Sequence, residues 1–335
     1  MVEKPLYENR LIIMENQDQS QIRLTTLIVG GGGFIGSHLA HHLARQGERE
    51  VIVTGRSAMP RFPLPNSVSY VQGDAGDIAF ISELLEKCDE VIDLAYATVP
   101  KTSFDDPVHD VLVNLPSSVV LLRQASQRKL RRFMLVSSGG TVYGNADYLP
   151  IDERHPTNPA SPYGITKLAL EKYALMFQRL EGLPVVIVRP GNPYGPNQFG
   201  KLAQGFVGAA MYAAMKGDHI TVFGEQGTIR DYIHVDDLCR GIIAAMNKGL
   251  PGDVFNIGSG VGYNNLELLD VLKTIVEPDG FQVRIETRPA RPFDVATNVL
   301  STARLTFASG WQATIDLEAG LRQTWDWVRS RGKYE

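Results

Sequence analysis

Cysteine is scarce in this sequence. Cys88 and Cys239 are the only two in 335 residues, too few for a disulfide framework, so a reducing cytoplasm is the expected setting. Long apolar runs are lacking too. No stretch approaches the roughly 18 residues that a membrane-spanning helix needs, so no membrane partner is expected. The run Leu11-Ile12-Ile13-Met14 is too short for a secretory leader and has acids and amides around it. Residues 1–23 are expected to form a poorly ordered extension. Charge of neither sign gathers into blocks, and 33 basic against 37 acidic residues leave a net charge of −4. A nucleic-acid partner would call for a basic patch that is missing here. There is no internal repeat or low-complexity tract. His38, His41 and His42 crowd one helical stretch without a matching carboxylate or cysteine cluster, so no metal site is expected.

What the chain does have is a regular alternation of short β-branched runs with helical stretches. Residues 24–29 read as a buried strand, and Gly30, Gly33 and Gly36 lead from it into a helix over 37–46. Glycines at that spacing allow a tight turn, a close approach to a pyrophosphate and close packing of helix on strand, the pattern of dinucleotide binding. Further strands are expected over 50–54, 69–74, 90–95, 132–138 and 184–189, with helices over 78–87 and 108–127. The fold class is therefore α/β, a Rossmann-type doubly wound parallel sheet. It is expected to occupy 24–189, with a return segment at about 235–260. From Pro190 the texture changes to Gly, Pro, Asn and aromatic residues. Residues 190–234 and 261–335 are expected to build a smaller mixed α/β lobe that holds the substrate.

Ligands of such sheets bind beyond the carboxyl ends of the strands. Ser138, Gly139, Gly140 and Thr141 lie at one such end, Asp74 and Ala95 at two others. Asp74 can accept from an adenine amino group, and small Ala95 lets a cofactor pass close by. At the end of the second strand stands Gly55-Arg56, where an NAD-binding protein usually places a carboxylate against the ribose. Without that acid a 2′-phosphate is not repelled, and Arg56 can pair with it or stack on adenine. NAD and NADP both stay open. Tyr163 and Lys167, four apart at the start of a helical pattern, project from one face. An ammonium beside a phenol favours the phenolate, so the Tyr163 pKa is expected to fall from roughly 10 toward neutral. Such a phenol is a general acid or base suited to a sugar or alcohol hydroxyl.

Taken in order, several motifs resemble one family. They are Val29-Gly30-Gly31-Gly32-Gly33-Phe34-Ile35-Gly36, Val136-Ser137-Ser138 through Tyr143-Gly144, Tyr163 with Lys167, Asn192-Pro193-Tyr194-Gly195-Pro196, Arg230 through Asp237, and Asn256-Ile257-Gly258-Ser259-Gly260. The chain from about 26 to 330 resembles the extended short-chain dehydrogenase/reductases, in their nucleotide-sugar epimerase and dehydratase branch. The resemblance implies that Tyr163 is the acid/base and that Lys167 tunes it and holds the nicotinamide ribose. It implies cofactor-lining roles for Phe34, Ile35, Asp74, Ala75, Leu94, Ala95 and Asn114. It also implies that Asn192, Arg230, Arg291 and Asp294 hold a nucleotide diphosphate and its ribose, work for which guanidinium forks and amide donors are suited. On the residues alone, Arg230 beside Asp231 and Arg291 near Asp294 read first as local salt bridges, and the motif context turns that reading toward ligand contact.

Two departures from the family pattern matter. Gly139 stands where the family commonly has Ser or Thr to bond the reacting hydroxyl, so Thr141, Ser138 or a water must stand in. Gly140-Thr141 stands where sugar 4,6-dehydratases carry an Asp-Glu pair, and without an acid and base the elimination step is disfavoured. The leading expectation is a UDP-sugar 4-epimerase, working as a homodimer. The alternatives are an NADPH-dependent 4-keto-sugar reductase and a non-catalytic protein that kept the fold.

Overall fold

Seven parallel strands form the sheet on which the rest of the molecule is laid. In a computed structural model that describes residues 23–198, 205–291 and 294–331, the first part of the chain alternates strand and helix. It runs β1 (Leu24–Val29), α1 (Phe34–Gln46), β2 (Arg49–Gly55), β3 (Val68–Gln72), α2 (Ile78–Leu85), β4 (Glu90–Asp93), α3 (Pro100–Asp105), α4 (Pro107–Ser126), β5 (Arg132–Val136), α5 (Pro162–Glu181) and β6 (Val185–Pro190). The remainder runs β7 (Asn192–Tyr194), α6 (Phe206–Lys216), β8 (His219–Phe223), β9 (Ile229–His234), α7 (Val235–Lys248), β10 (Val254–Ile257), β11 (Gly262–Tyr263), α8 (Asn265–Val276), β12 (Arg284–Arg288), β13 (Thr297–Asn298), α9 (Ala303–Ser309) and α10 (Leu317–Arg331). The extension expected over 1–23 lies outside the described residues but for residue 23. Among the described residues no helix is long and apolar enough to cross a membrane.

The sheet order is β10-β6-β5-β4-β1-β2-β3, with every neighbouring pair parallel. The chain moves outward from β1 to β3, then crosses back to β4, so the strand order reverses between β1 and β4. That reversal leaves a crevice at the carboxyl ends, where ligands of open α/β sheets bind. Both faces of the sheet are covered, and adjacent residues of one strand feed different cores. Ile28, Val53, Ile92 and Met134 pack under α1 and α7 with Leu39, Leu43 and Ile242. Leu27, Ile52, Val91 and Phe133 pack under α2, α4 and α5 with Ile81, Leu121 and Leu170.

A smaller lobe surrounds β9, which pairs with β7, β11 and β13. Its own core joins Met211 of α6, Leu268 and Leu272 of α8 and Trp325 of α10 around Tyr194 and Tyr232. Leu305 of α9 and Trp311 nevertheless pack into the core beneath α1 and α7. The lobe boundary we propose therefore leaves α9 and Trp311 with the sheet.

Candidate active site

The carboxyl ends of β5 and β6, the start of α1 and the strands β7 and β9 open onto one cavity of about 740 Å³. The glycine turn leads from β1 into α1 beside this cavity. Gly30 sits in the left-handed region at φ +75°, where an added Cβ would stand 2.8 Å from the backbone of Ala95. A Cβ on Gly36 would come within hard contact of the Gly31 backbone, so α1 can start this close to β1 only with glycine there. Gly33 is different: a Cβ there would meet only the Gly30 carbonyl, at 3.6 Å. It is the N-cap of α1 and contributes no side-chain capping bond, while Phe34 and Ile35 line the cavity. The first N–H groups of a helix have no partner within it, and here they stand at an open, uncapped end that suits a pyrophosphate. The residues present fit a dinucleotide.

Tyr163 and Lys167 stand on α5, whose start is fixed by Pro162 and by the Ser161 hydroxyl, which accepts from the Gly164 N–H. Ser103 of α3 secures the same turn by accepting from the Tyr163 N–H at 3.1 Å. Both side chains line the cavity, as their spacing requires. The pKa expected for Tyr163 is corrected here. Burial pushes the phenol well above its usual value, the Asp110 carboxylate adds to the rise, and a hydrogen bond with Ser138 opposes both. The physical reason is where the ammonium goes. Lys167 Nζ donates to the Val136 carbonyl at 3.0 Å and lies 4.2 Å from the centre of the Tyr96 ring, against 5.9 Å from that of Tyr163. Burial lowers Lys167 from 10.5 to about 8, with Asp93, Glu171 and Asp110 working against the fall.

At the end of β5, Ser138, Gly140 and Thr141 line the cavity. Gly139 does not point into it: a Cβ there would meet Leu300 at 2.7 Å and the carbonyls of Arg189 and Pro190 at 2.8 and 3.0 Å. The backbone at 139 is packed against β6, so hydroxyls can come only from its neighbours. Among the described residues, Thr141 Oγ1 is buried without a protein hydrogen-bond partner, and so are Asn192 Oδ1 and Gln198 Oε1. All three residues line the cavity. Buried polar atoms left unpaired are costly, and three around one cavity mark positions where a polar ligand would bond.

Arg230 and Arg291 bring two guanidinium groups to the same cavity. Arg230 does not pair with Asp231, because adjacent residues of a strand face opposite ways. Asp231 is buried and accepts from the backbone N–H groups of Ser259, Gly260 and Leu300. Arg230 bonds the Ile229 carbonyl, and burial lowers its pKa. Arg291 forms a two-pronged pair with Asp294 at 2.8 and 3.0 Å and lies over the Phe223 ring at 4.2 Å.

The remaining positions lie apart. Leu94 lines the cavity, whereas Arg56 and Asp74 are exposed beyond the adjoining ends of β2 and β3, with Ala75 following. The Asp74 carboxylate accepts from the Gly76 N–H at 2.8 Å. Asn114 is buried in α4 outside the cavity lining. Its amide holds the loop after β4, accepting from the Ala97 N–H at 2.7 Å and donating to Thr98 Oγ1 at 3.0 Å. His38 and His42, weighed above as metal ligands, both bond Asp236 Oδ1, at 3.2 and 2.9 Å. The sequence reading missed Tyr96, Thr98, Ser103 and Asp110. No motif marks them, and only the meeting of three helices makes them neighbours.

A doubly wound sheet with an open glycine turn at its switch point, and a Tyr-Lys pair beside it, defines a dinucleotide-binding protein of the short-chain dehydrogenase/reductase type. Residues 26–258 match the model of the NAD dependent epimerase/dehydratase family, and the chain belongs to that family. A UDP-glucose 4-epimerase of Mycolicibacterium smegmatis is 32% identical over 316 residues, covering 92% of this chain and 100% of the relative. The crystal structure of a UDP-glucose 4-epimerase from Thermotoga maritima with UDP-glucose superposes with a TM-score of 0.86 at 31% identity, covering 92% of this chain and 99% of that one. A UDP-glucose 4-epimerase from Thermus thermophilus in complex with NAD gives 0.83 at 30% identity, covering 91% and 99%.

Proposed function

We propose that the protein is a nucleotide-sugar 4-epimerase that works through NAD on a UDP-sugar. The observation that carries this is the sharing of one cavity by two chemistries. Tyr163, Ser138 and Thr141 offer proton-transfer groups to it, and Arg230, Arg291 and Asn192 offer diphosphate-binding groups. The similar proteins bound to UDP-glucose and to NAD support the same ligands here.

An NAD, when bound, supplies the hydride acceptor and, in its oxidised ring, a positive charge. The chain's own residues do the rest. Tyr163 takes the proton of the C4 hydroxyl and returns it to the keto oxygen once the sugar has turned over. Ser138, whose hydroxyl works against the rise of the Tyr163 pKa and which lines the same cavity, continues the proton path, and Thr141 holds the reacting hydroxyl with its buried oxygen. Asn192 and Arg230 hold the diphosphate, with the Arg291–Asp294 fork on the nucleotide side. Gly140 and Thr141 offer no acid and base for elimination, which disfavours a dehydratase.

A 4-keto-sugar reductase fed by NADPH is the second reading, and Arg56 at the end of β2 favours it. Releasing the dinucleotide from freshly purified protein by denaturation separates the two. Near-stoichiometric NAD supports the epimerase, whereas an empty protein that takes up NADPH supports the reductase. We place the protein in the cytoplasm on its scarcity of cysteine. We also propose a homodimer through α4 and α5, on which Val108, Leu112 and Ile165 are 66, 65 and 57% exposed.

A further inference from the structure

Behind the Tyr-Lys pair lies a buried polar cluster that the epimerase reading has not used. The Asp110 carboxylate is fully buried on α4. It accepts from Thr166 Oγ1 of α5 at 2.7 Å, from the Thr98 hydroxyl and, at 3.4 Å, from the Tyr96 phenol. Asn114 ties down the same loop through Ala97 and Thr98. The Tyr96 ring is thereby held at its hydroxyl end and by the chain that follows it. Its edge meets Tyr163 with ring centres 4.8 Å apart, near perpendicular. Its face lies 4.2 Å from Lys167 Nζ, and the ring also lines the cavity.

A buried ammonium needs its charge met, because leaving it unpaired is expensive. The groups that face Lys167 are the Val136 carbonyl, the carboxylates of Asp93 on β4, Glu171 on α5 and Asp110 on α4, and the two tyrosine rings. Glu171 is already committed to Arg189 through a two-pronged pair at 2.9 and 2.6 Å. Asp93 is spent in part on the Ala95 N–H at 3.0 Å. The Tyr96 face is thus a cation-binding surface in contact with the ammonium, at 4.2 Å, and a ring face attracts an ammonium most strongly where water is excluded.

We propose that Tyr96 is a positioning residue for catalysis: its ring face seats the Lys167 ammonium at the edge of the cavity, and Asp110 fixes the ring for that task. This rests on the epimerase reading for its use in turnover but not for its geometry. The ring sets both the orientation of Lys167 and the pH at which it stays charged, and it braces the Tyr163 ring from the side.

The test reads Lys167 directly, without substrate or turnover. The pH dependence of its acetylation by acetic anhydride is followed by peptide mass spectrometry in the full-length protein and in Tyr96→Phe and Tyr96→Leu. Tyr96→Phe keeps the face, still held by the loop that Asp110 and Asn114 secure through Thr98 and Ala97, and is expected to titrate as the parent does, near the value of about 8. Tyr96→Leu is expected to titrate about one unit lower, the shift a buried cation–π contact implies. Should Tyr96→Leu not fold, near-isosteric 4-fluoro- and 3,4,5-trifluoro-phenylalanine at position 96 drain the ring face stepwise, and the Lys167 titration must fall with each fluorine. Identical titrations across the folded series overturn the proposal. A series that follows the ring in a protein without epimerase activity overturns the proposed function instead and leaves the seat standing.

Discussion

Tyr163 begins its work from an unfavourable protonation state. Burial and Asp110 hold its proton on, and the Lys167 ammonium is turned toward Val136 and Tyr96. Tyr163→Phe removes the transferable proton and leaves the ring packing, so kcat should fall by roughly 10²–10⁴ with the melting temperature nearly unchanged. Turnover and thermal unfolding measured on the same preparation check both halves. Lys167 gives a pH signature of its own. Its folded pKa of about 8 lies below the unfolded value near 10.5, so between those values the unfolded chain binds more protons and stability rises with pH. The cost of the buried ammonium is fully present below pH 8 and is relieved as pH rises toward 10.5. The stability difference between the protein and Lys167→Met, by urea titration from pH 7 to 10, should show that slope.

At the scale of elements, α5 carries Tyr163 and Lys167, and a buried ion pair fastens it to the sheet. Arg189 of β6 grips Glu171 with two of its three guanidinium nitrogens and donates from the third to the Tyr143 phenol at 2.9 Å. Glu171→Ala leaves that guanidinium buried and unpaired, which should cost about 3–5 kcal/mol in denaturant unfolding. What could be read from the sequence at this scale was local. The glycine turn and the Tyr163–Lys167 spacing act over a few residues, and strands buried on both faces announce themselves as β-branched runs. β8 and β12 could not be read that way, because they pair across a long separation, Arg284 with His219 and Arg288 with Phe223, and little in either run marks a partner. Asn114 shows the same limit from the other side. Its motif position was legible, but its bonds to the 97–98 loop follow from α4 meeting the end of β4.

Across the whole molecule, the strand ends of the sheet and β7 and β9 of the small lobe line one shared cavity, and in the proposed reaction each side holds one of the two ligands. Epimerisation needs this arrangement, because the sugar must turn while its diphosphate stays held. Arg230→Ala should therefore raise KM for the nucleotide sugar while leaving dinucleotide binding intact, as titration calorimetry with each ligand would show. On the outer surface, Leu112→Glu should turn the proposed dimer into a monomer, read by sedimentation velocity. The most direct measurement is proton NMR of UDP-glucose, UDP-N-acetylglucosamine and UDP-glucuronic acid incubated with the protein in D₂O without added coenzyme. The account predicts that one of them converts to its C4 epimer with hydrogen retained at C4, since the hydride leaves and returns within the site. Net oxidation or reduction of the sugar, or deuterium entering at C4, would contradict it.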